Sequence, residues 1–157
     1  MKDVNLDHVS QQYYDVLKEI GNIGAGNAMT ALSQMLQCKV DMKVPQVRLL
    51  EFSEVGELMG GEEQIMAAVL LAVEGDITGY MMFMVEENSA RHLIGKITGG
   101  MLPEGMEFEE MGLSAMQEVG NIITGAYLNS LSSMTNMKVF PSPPAVTVDM
   151  AGAILSV

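Results

Sequence analysis

The chain repeats itself. Displaced by 99 residues, Glu19-Ile20-Gly21-Asn22-Ile23 lies over Glu118-Val119-Gly120-Asn121-Ile122, and Asp15–Val47 matches Ser114–Val146 at 12 of 33 positions. The matches include Gly26/Gly125, Leu32/Leu131, Ser33/Ser132, Lys39/Lys138, Val40/Val139 and Pro45/Pro144. A repeat at fixed offset implies that each copy presents the same elements in the same order. With 157 residues the chain suits a single domain. The expectation is therefore one domain over 1–157: copy one about 7–100, a linker about 101–107, and copy two about 108–157.

Copy one is predicted to open with a helix from about Asp7 to Gln37. Tyr13, Leu17, Ile20, Ala28, Ala31 and Met35 fall on one arc at 100° per residue. A strand is predicted through Lys39–Leu50, where Pro45 requires an edge, a bulge or a break. Gln64–Val73 and Ile77–Val85 read as a hairpin around Glu74-Gly75-Asp76. A helix follows over about Asn88–Ile97 and stops at Gly99-Gly100. Copy two repeats the long helix, about Phe108–Thr135, and the proline-bearing strand. Under the 99-residue shift Val157 lies opposite Leu58, so copy two is apparently truncated ahead of its hairpin. That predicts an unpaired sheet edge, to be met by more of this chain or by another. The fold class is α/β: an internal pseudo-twofold repeat, with a β-sheet packed against two long helices.

Twenty acidic residues against eight basic ones give a net charge of −12. Such a surface repels phosphate backbones and anionic lipid, which argues against nucleic-acid and membrane-surface binding. No run of 18 apolar residues exists to span a membrane, and the first residues lack the apolar core of a secretory signal. A lone Cys38 gives no disulfide framework, and no Cys/His cluster has metal-ligand spacing. The expectation is a soluble, cytoplasmic domain with no metal of its own.

Chemistry is expected on the repeated helix. Asp15, Glu19, Asn22 and Gly26 fall within about 60° of one another, opposite the apolar arc. Ser114, Glu118, Asn121 and Gly125 reproduce that stripe. Exposed polar residues on one helix are ordinarily just solvated, but packing does not require an exposed Glu and Asn at identical spacing twice. Gly21, Gly24 and Gly26 each cost about 1 kcal/mol relative to Ala in a helix interior, so a close neighbour or an approaching partner should compensate. Gly21–Gly26 fits neither GxGxxG nor GxxxxGK[ST] and follows a helical pattern rather than a strand, so a nucleotide loop is set aside.

The twice-repeated pattern Asp/Ser-x3-Glu-x2-Asn-x22-Pro, at Asp15, Glu19, Asn22, Pro45 and at Ser114, Glu118, Asn121, Pro144, resembles the signature of the CheC family of bacterial chemotaxis phosphatases. The resemblance covers nearly the whole chain. It is also similar to the related CheX and FliY types, of which the first carries one motif and the second a fused switch-binding domain. What it implies is hydrolysis of the aspartyl phosphate on a phosphorylated CheY-type response regulator in two-component chemotaxis signalling. Asn22 and Asn121 would position the attacking water, while Glu19 and Glu118 would pair with a cation of the partner, whose Mg2+ is the only metal expected. Asp15 and Ser114 would tune the contact, and Pro45 and Pro144 would shape the strand behind the helix. The resemblance also implies CheD as a partner, with Asp149 as the candidate contact. The rival reading is a non-catalytic adaptor docking on CheD or other chemotaxis proteins.

Other signals are weaker. His8 and His92 have no ligand partners at suitable spacing. Cys38 is expected to be a small buried residue, and most of the 16 Met residues to fill a core poor in aromatics. Glu107–Glu110 is expected to supply acid at a helix N-terminus.

Overall fold

The computed structural model describes residues 11–41, 43, 46–100 and 110–156. The expected linker, His8 and Pro45 lie outside the described residues, as do the first residues expected for both long helices, 7–10 and 108–109. The elements are α1 (Gln11–Leu36), α2 (Phe52–Leu58), β1 (Ile65–Gly75), β2 (Gly79–Glu86), α3 (Glu87–Thr98), α4 (Glu110–Thr135), β3 (Val139–Pro141), β4 (Ala145–Met150) and α5 (Ala151–Leu155). Helices α1 and α4 have 26 residues each and begin 99 residues apart, as do α2 and α5.

β1 is the centre of a four-stranded antiparallel sheet, with β2 on one side and β3 and β4 on the other. Its sequence, Ile-Met-Ala-Ala-Val-Leu-Leu-Ala-Val, is apolar on both faces because both are covered. Ala67, Val69 and Leu71 meet Ala90 and Ile94 of α3 and Ala115 and Met116 of α4. Met66 and Ala68, on the opposite face, meet Ala151 and Ile154 of α5. The hairpin is as expected, with Val73 opposite Gly79. Its turn is tied to the start of β3: Asp76 N–H donates to the Lys138 carbonyl at 2.9 Å, and Lys138 N–H donates to Asp76 Oδ2 at 2.7 Å. α3 ends on Gly99 in the left-handed region, with φ of 76°, which glycine adopts without strain.

The strand expected over Lys39–Leu50 is not formed at any described residue. An extended segment becomes a strand only where a neighbour supplies ladder hydrogen bonds. Here Val40 N–H donates instead to Ser33 Oγ at 3.1 Å, and Val47 packs on Gly21 of α1. The equivalent stretch of copy two does find β1, and Pro143-Pro144 divides it into β3 and β4.

The apolar arc of α1 holds only from Ile20 onward. Ile20, Ala28 and Leu32 are buried, but Tyr13 is 68% and Leu17 37% exposed. Their counterparts on α4, Gly112 and Met116, are buried, because α3 and β1 lie over that helix. Tyr13 and Leu17 join none of the apolar clusters among the described residues. Cys38 is also exposed, contrary to expectation. It follows Gln37, which turns the chain off the helix at φ of 51°. Met66 and Met116 are core residues as expected, whereas Met111, Met134, Met137 and Met150 are exposed.

Candidate functional site

Long contact along α1 and α4 sets the two stripes on one helical pair. The interface admits close approach at Gly24, where an added Cβ would stand 2.6 Å from the Tyr127 ring, and is pinned by Asn27 Nδ2 donating to Ser130 Oγ at 2.8 Å. Burial pushes the Tyr127 hydroxyl above its ordinary pKa of 10.0. An acid harder to ionise in the fold than in the open chain leaves stability untouched below about pH 10 and lowers it as pH rises further. Alkaline denaturation should therefore steepen above that pH in the native chain and flatten in Tyr127→Phe.

Asp15 and Glu19 are exposed on α1, as are Ser114, Glu118 and Asn121 on α4. In each copy Glu and Asn stand three residues apart, adjacent on a helix face at about 5–6 Å between Cβ atoms. The copies differ at the amide. Asn121 is open to solvent, while Asn22 is half-buried and its Oδ1 is closed off from water with no hydrogen-bond partner. They differ in charge too, since Asp15 stands where copy two has the neutral Ser114; Asp15 Oδ1 accepts from Gln11 Nε2 at 3.1 Å.

The glycines of the helices separate into two kinds. An added Cβ on Gly21 would meet Val47 at 2.6 Å, and one on Gly120 would meet Val69 Cβ at the same distance. Gly26 and Gly125, one turn beyond the asparagines, have no neighbour within 4 Å.

Pro144 lies between β3 and β4, and its carbonyl accepts from Gln117 Nε2 on α4 at 3.0 Å. Gln117 thus fixes the proline beside the Glu118–Asn121 stripe. Sequence reasoning missed it, since its repeat partner is Lys18 and only the folded chain brings it to Pro144. Lys18 instead borders a cavity of about 450 Å3 next to Asp15, with Tyr14, Gln46, Val47 and Arg48. Asp149 is exposed on β4, away from the helix stripes in sequence, and its Oδ1 accepts from Met150 N–H at 2.8 Å. No cluster of three or more His, Cys, Asp or Glu suited to a metal exists among the described residues. No helix among them is long and apolar enough to cross a membrane.

The geometry defines a helical pair that presents an acidic residue and an amide, twice, beside open glycines. The CheC-like family pattern matches residues 14–48 and 111–148, the segments that hold both stripes. The chain is 38% identical over 150 residues to the CheY-P phosphatase CheC of Bacillus subtilis, covering 94% of this chain and 72% of that protein. It superposes on FliY of Thermotoga maritima with a TM-score of 0.77 at 26% identity, over 92% of this chain and 72% of the other. A CheX in a CheX–CheY–BeF3–Mg2+ complex from Borrelia burgdorferi shares the fold, with a TM-score of 0.58 at 19% identity over 82% of this chain and 74% of that one. This chain belongs to the CheC-like family.

Proposed function

We propose that this chain hydrolyses the aspartyl phosphate of a CheY-type response regulator, using two pseudo-twofold-related stripes that dock on the regulator and hold a water in line with phosphorus. One observation carries the reading. Gly26 and Gly125 interrupt long helices at a cost of about 1 kcal/mol each with nothing packed against them. Bare backbone at the same point of both stripes suits close approach by a partner surface.

The reaction asks little of a catalyst beyond placement. Water oxygen attacks phosphorus, the bond to the aspartyl oxygen breaks, and carboxylate and inorganic phosphate leave, with the water's protons passing to phosphate and solvent. Positioning and electrostatics dominate such transfers. An asparagine amide can hold water through its oxygen and its NH2, and it needs no pKa near neutrality to do so. Glu19 and Glu118 supply exposed carboxylates for a cation on the regulator and so set the register of each Asn. The magnesium belongs to the regulator. Pro144, held by Gln117, sets the rim of the copy-two stripe. Asp149, exposed on β4, is the candidate CheD contact.

The docking half of this reading is tested on a beryllofluoride-activated regulator, which cannot turn over. Glu19→Gln with Glu118→Gln should weaken binding at least tenfold, about 1.4 kcal/mol. Undiminished binding would remove the carboxylates from the interface.

A further inference from the structure

The repeat is kept along the stripe and lost beside it. The cavity that Asp15 and Lys18 border has six polar lining residues, and none recurs 99 residues on. Tyr14 gives way to Leu113, Gln46 to Ala145, Lys18 to Gln117 and Arg48 to Thr147. Two cations against Asp15 leave the copy-one lining positive, whereas the copy-two counterparts hold Glu110 and no cation. Although the chain carries −12, neither Lys18 nor Arg48 has an ion-pair partner among the described residues. Asp15 does not neutralise them, since its Oδ1 accepts from Gln11 Nε2 at 3.1 Å. Arg48 Nη2 donates to Gln46 Oε1 at 2.9 Å, which ties the guanidinium to a second lining residue.

A single exposed cation is ordinarily just solvated. Here two share one concave wall, and Lys18 stands one turn before Asn22, at about 5–6 Å between Cβ atoms. A surface docked on the stripe therefore reaches the cavity as well. We infer that Lys18 and Arg48 receive a carboxylate side chain of the regulator, so that copy one selects regulators with an acidic residue there. This inference deepens the proposed function and rests on it. At 100° per residue the cavity-lining Lys18 and Tyr14 lie on the flank of α1 beyond Asn22, away from Glu19. A group seated there belongs to the regulator's surface rather than to the phosphoryl group at Asn22. Arg48 presents the planar fork that carboxylates fit, and Lys18 adds a point charge. Copy two has no such receptor, because Gln117 is held by the Pro144 carbonyl and Thr147 carries no charge.

The test uses the full chain with Glu118→Gln, to confine docking to copy one, and a beryllofluoride-activated CheY-type regulator. Adding Lys18→Gln and Arg48→Thr, the residues copy two carries, should weaken binding at least tenfold at roughly 0.05 M salt. The difference should shrink at roughly 0.5 M, where exposed charges are screened. Lys18→Gln alone, on an exposed helix face, should move binding the same way if the double variant fails to fold. Lys96→Gln with Lys138→Gln removes two exposed cations elsewhere and should cost less than about threefold. In Asn121→Ala, the Lys18 and Arg48 changes should raise KM for the phosphorylated regulator and leave kcat unchanged. Undiminished binding overturns the inference, as does a loss matched by the Lys96 and Lys138 changes, or a fall in kcat without a rise in KM. A native chain that neither binds the regulator nor speeds its decay overturns the proposed function itself.

Discussion

Gly120→Ala is expected to lower stability by about 1–2 kcal/mol, although alanine favours a helix by about 1 kcal/mol over glycine. The new Cβ would stand 2.6 Å from Val69 Cβ. Val69 is fully buried, opposite both Phe83 and Val146 at the centre of the sheet, and its β-branched side chain cannot swing away. Relief requires α4 to lift from β1, opening the cluster of Ala67, Leu71, Ala115 and Met116. Gly125→Ala, five residues on in the same helix, meets nothing within 4 Å and should gain up to about 1 kcal/mol. The same change should weaken regulator binding, because its methyl enters the surface proposed to face the partner. Urea denaturation of the two variants checks the contrast. Equal loss at both positions would mean that Gly125 is held by packing and that its openness carries no functional meaning.

Much of the fold was legible because the decisive signals are local. The turn residues Glu74-Gly75-Asp76 located the hairpin of β1 and β2, the 3.6-residue period located α1, the 99-residue repeat carried it to α4, and Gly99-Gly100 marked the end of α3. The segment after α1 was misread because an extended sequence does not say whether a partner strand is present. The same pattern, with its proline, is a strand in copy two and none among the described residues of copy one. Tyr13 and Leu17 were misread for a related reason: periodicity reports which face is apolar, and only the tertiary fold decides whether anything covers it.

The stripe was legible because the repeat supplied a second example of Glu and Asn at one spacing. Two features were beyond it. Gln117 acts through the Pro144 carbonyl, a contact made across 27 residues of sequence. The inequality of the two amides, Asn121 open and Asn22 with its oxygen shut off, arises from packing around identical local sequence.

Asn22→Ala with Asn121→Ala should cost about 100-fold or more in turnover, the effect expected when a well-placed polar group is removed from a phosphoryl-transfer site. The single changes should be unequal. Asn121 is already free to bind water and has the neutral Ser114 beside it on the helix, so its loss should dominate. Asn22 must first release its occluded oxygen and has Asp15 adding negative charge near a phosphate. Neither substitution removes a carboxylate, so docking on a beryllofluoride-activated regulator should survive in the double variant.

The decisive measurement is the decay of a phosphorylated CheY-type regulator with this chain at substoichiometric amounts. Decay should accelerate, the double Asn variant should return it to the spontaneous rate, and Asn121→Ala should account for most of that loss. Full acceleration by the double variant would contradict water positioning by these amides, and unchanged decay with the native chain would contradict the phosphatase reading itself.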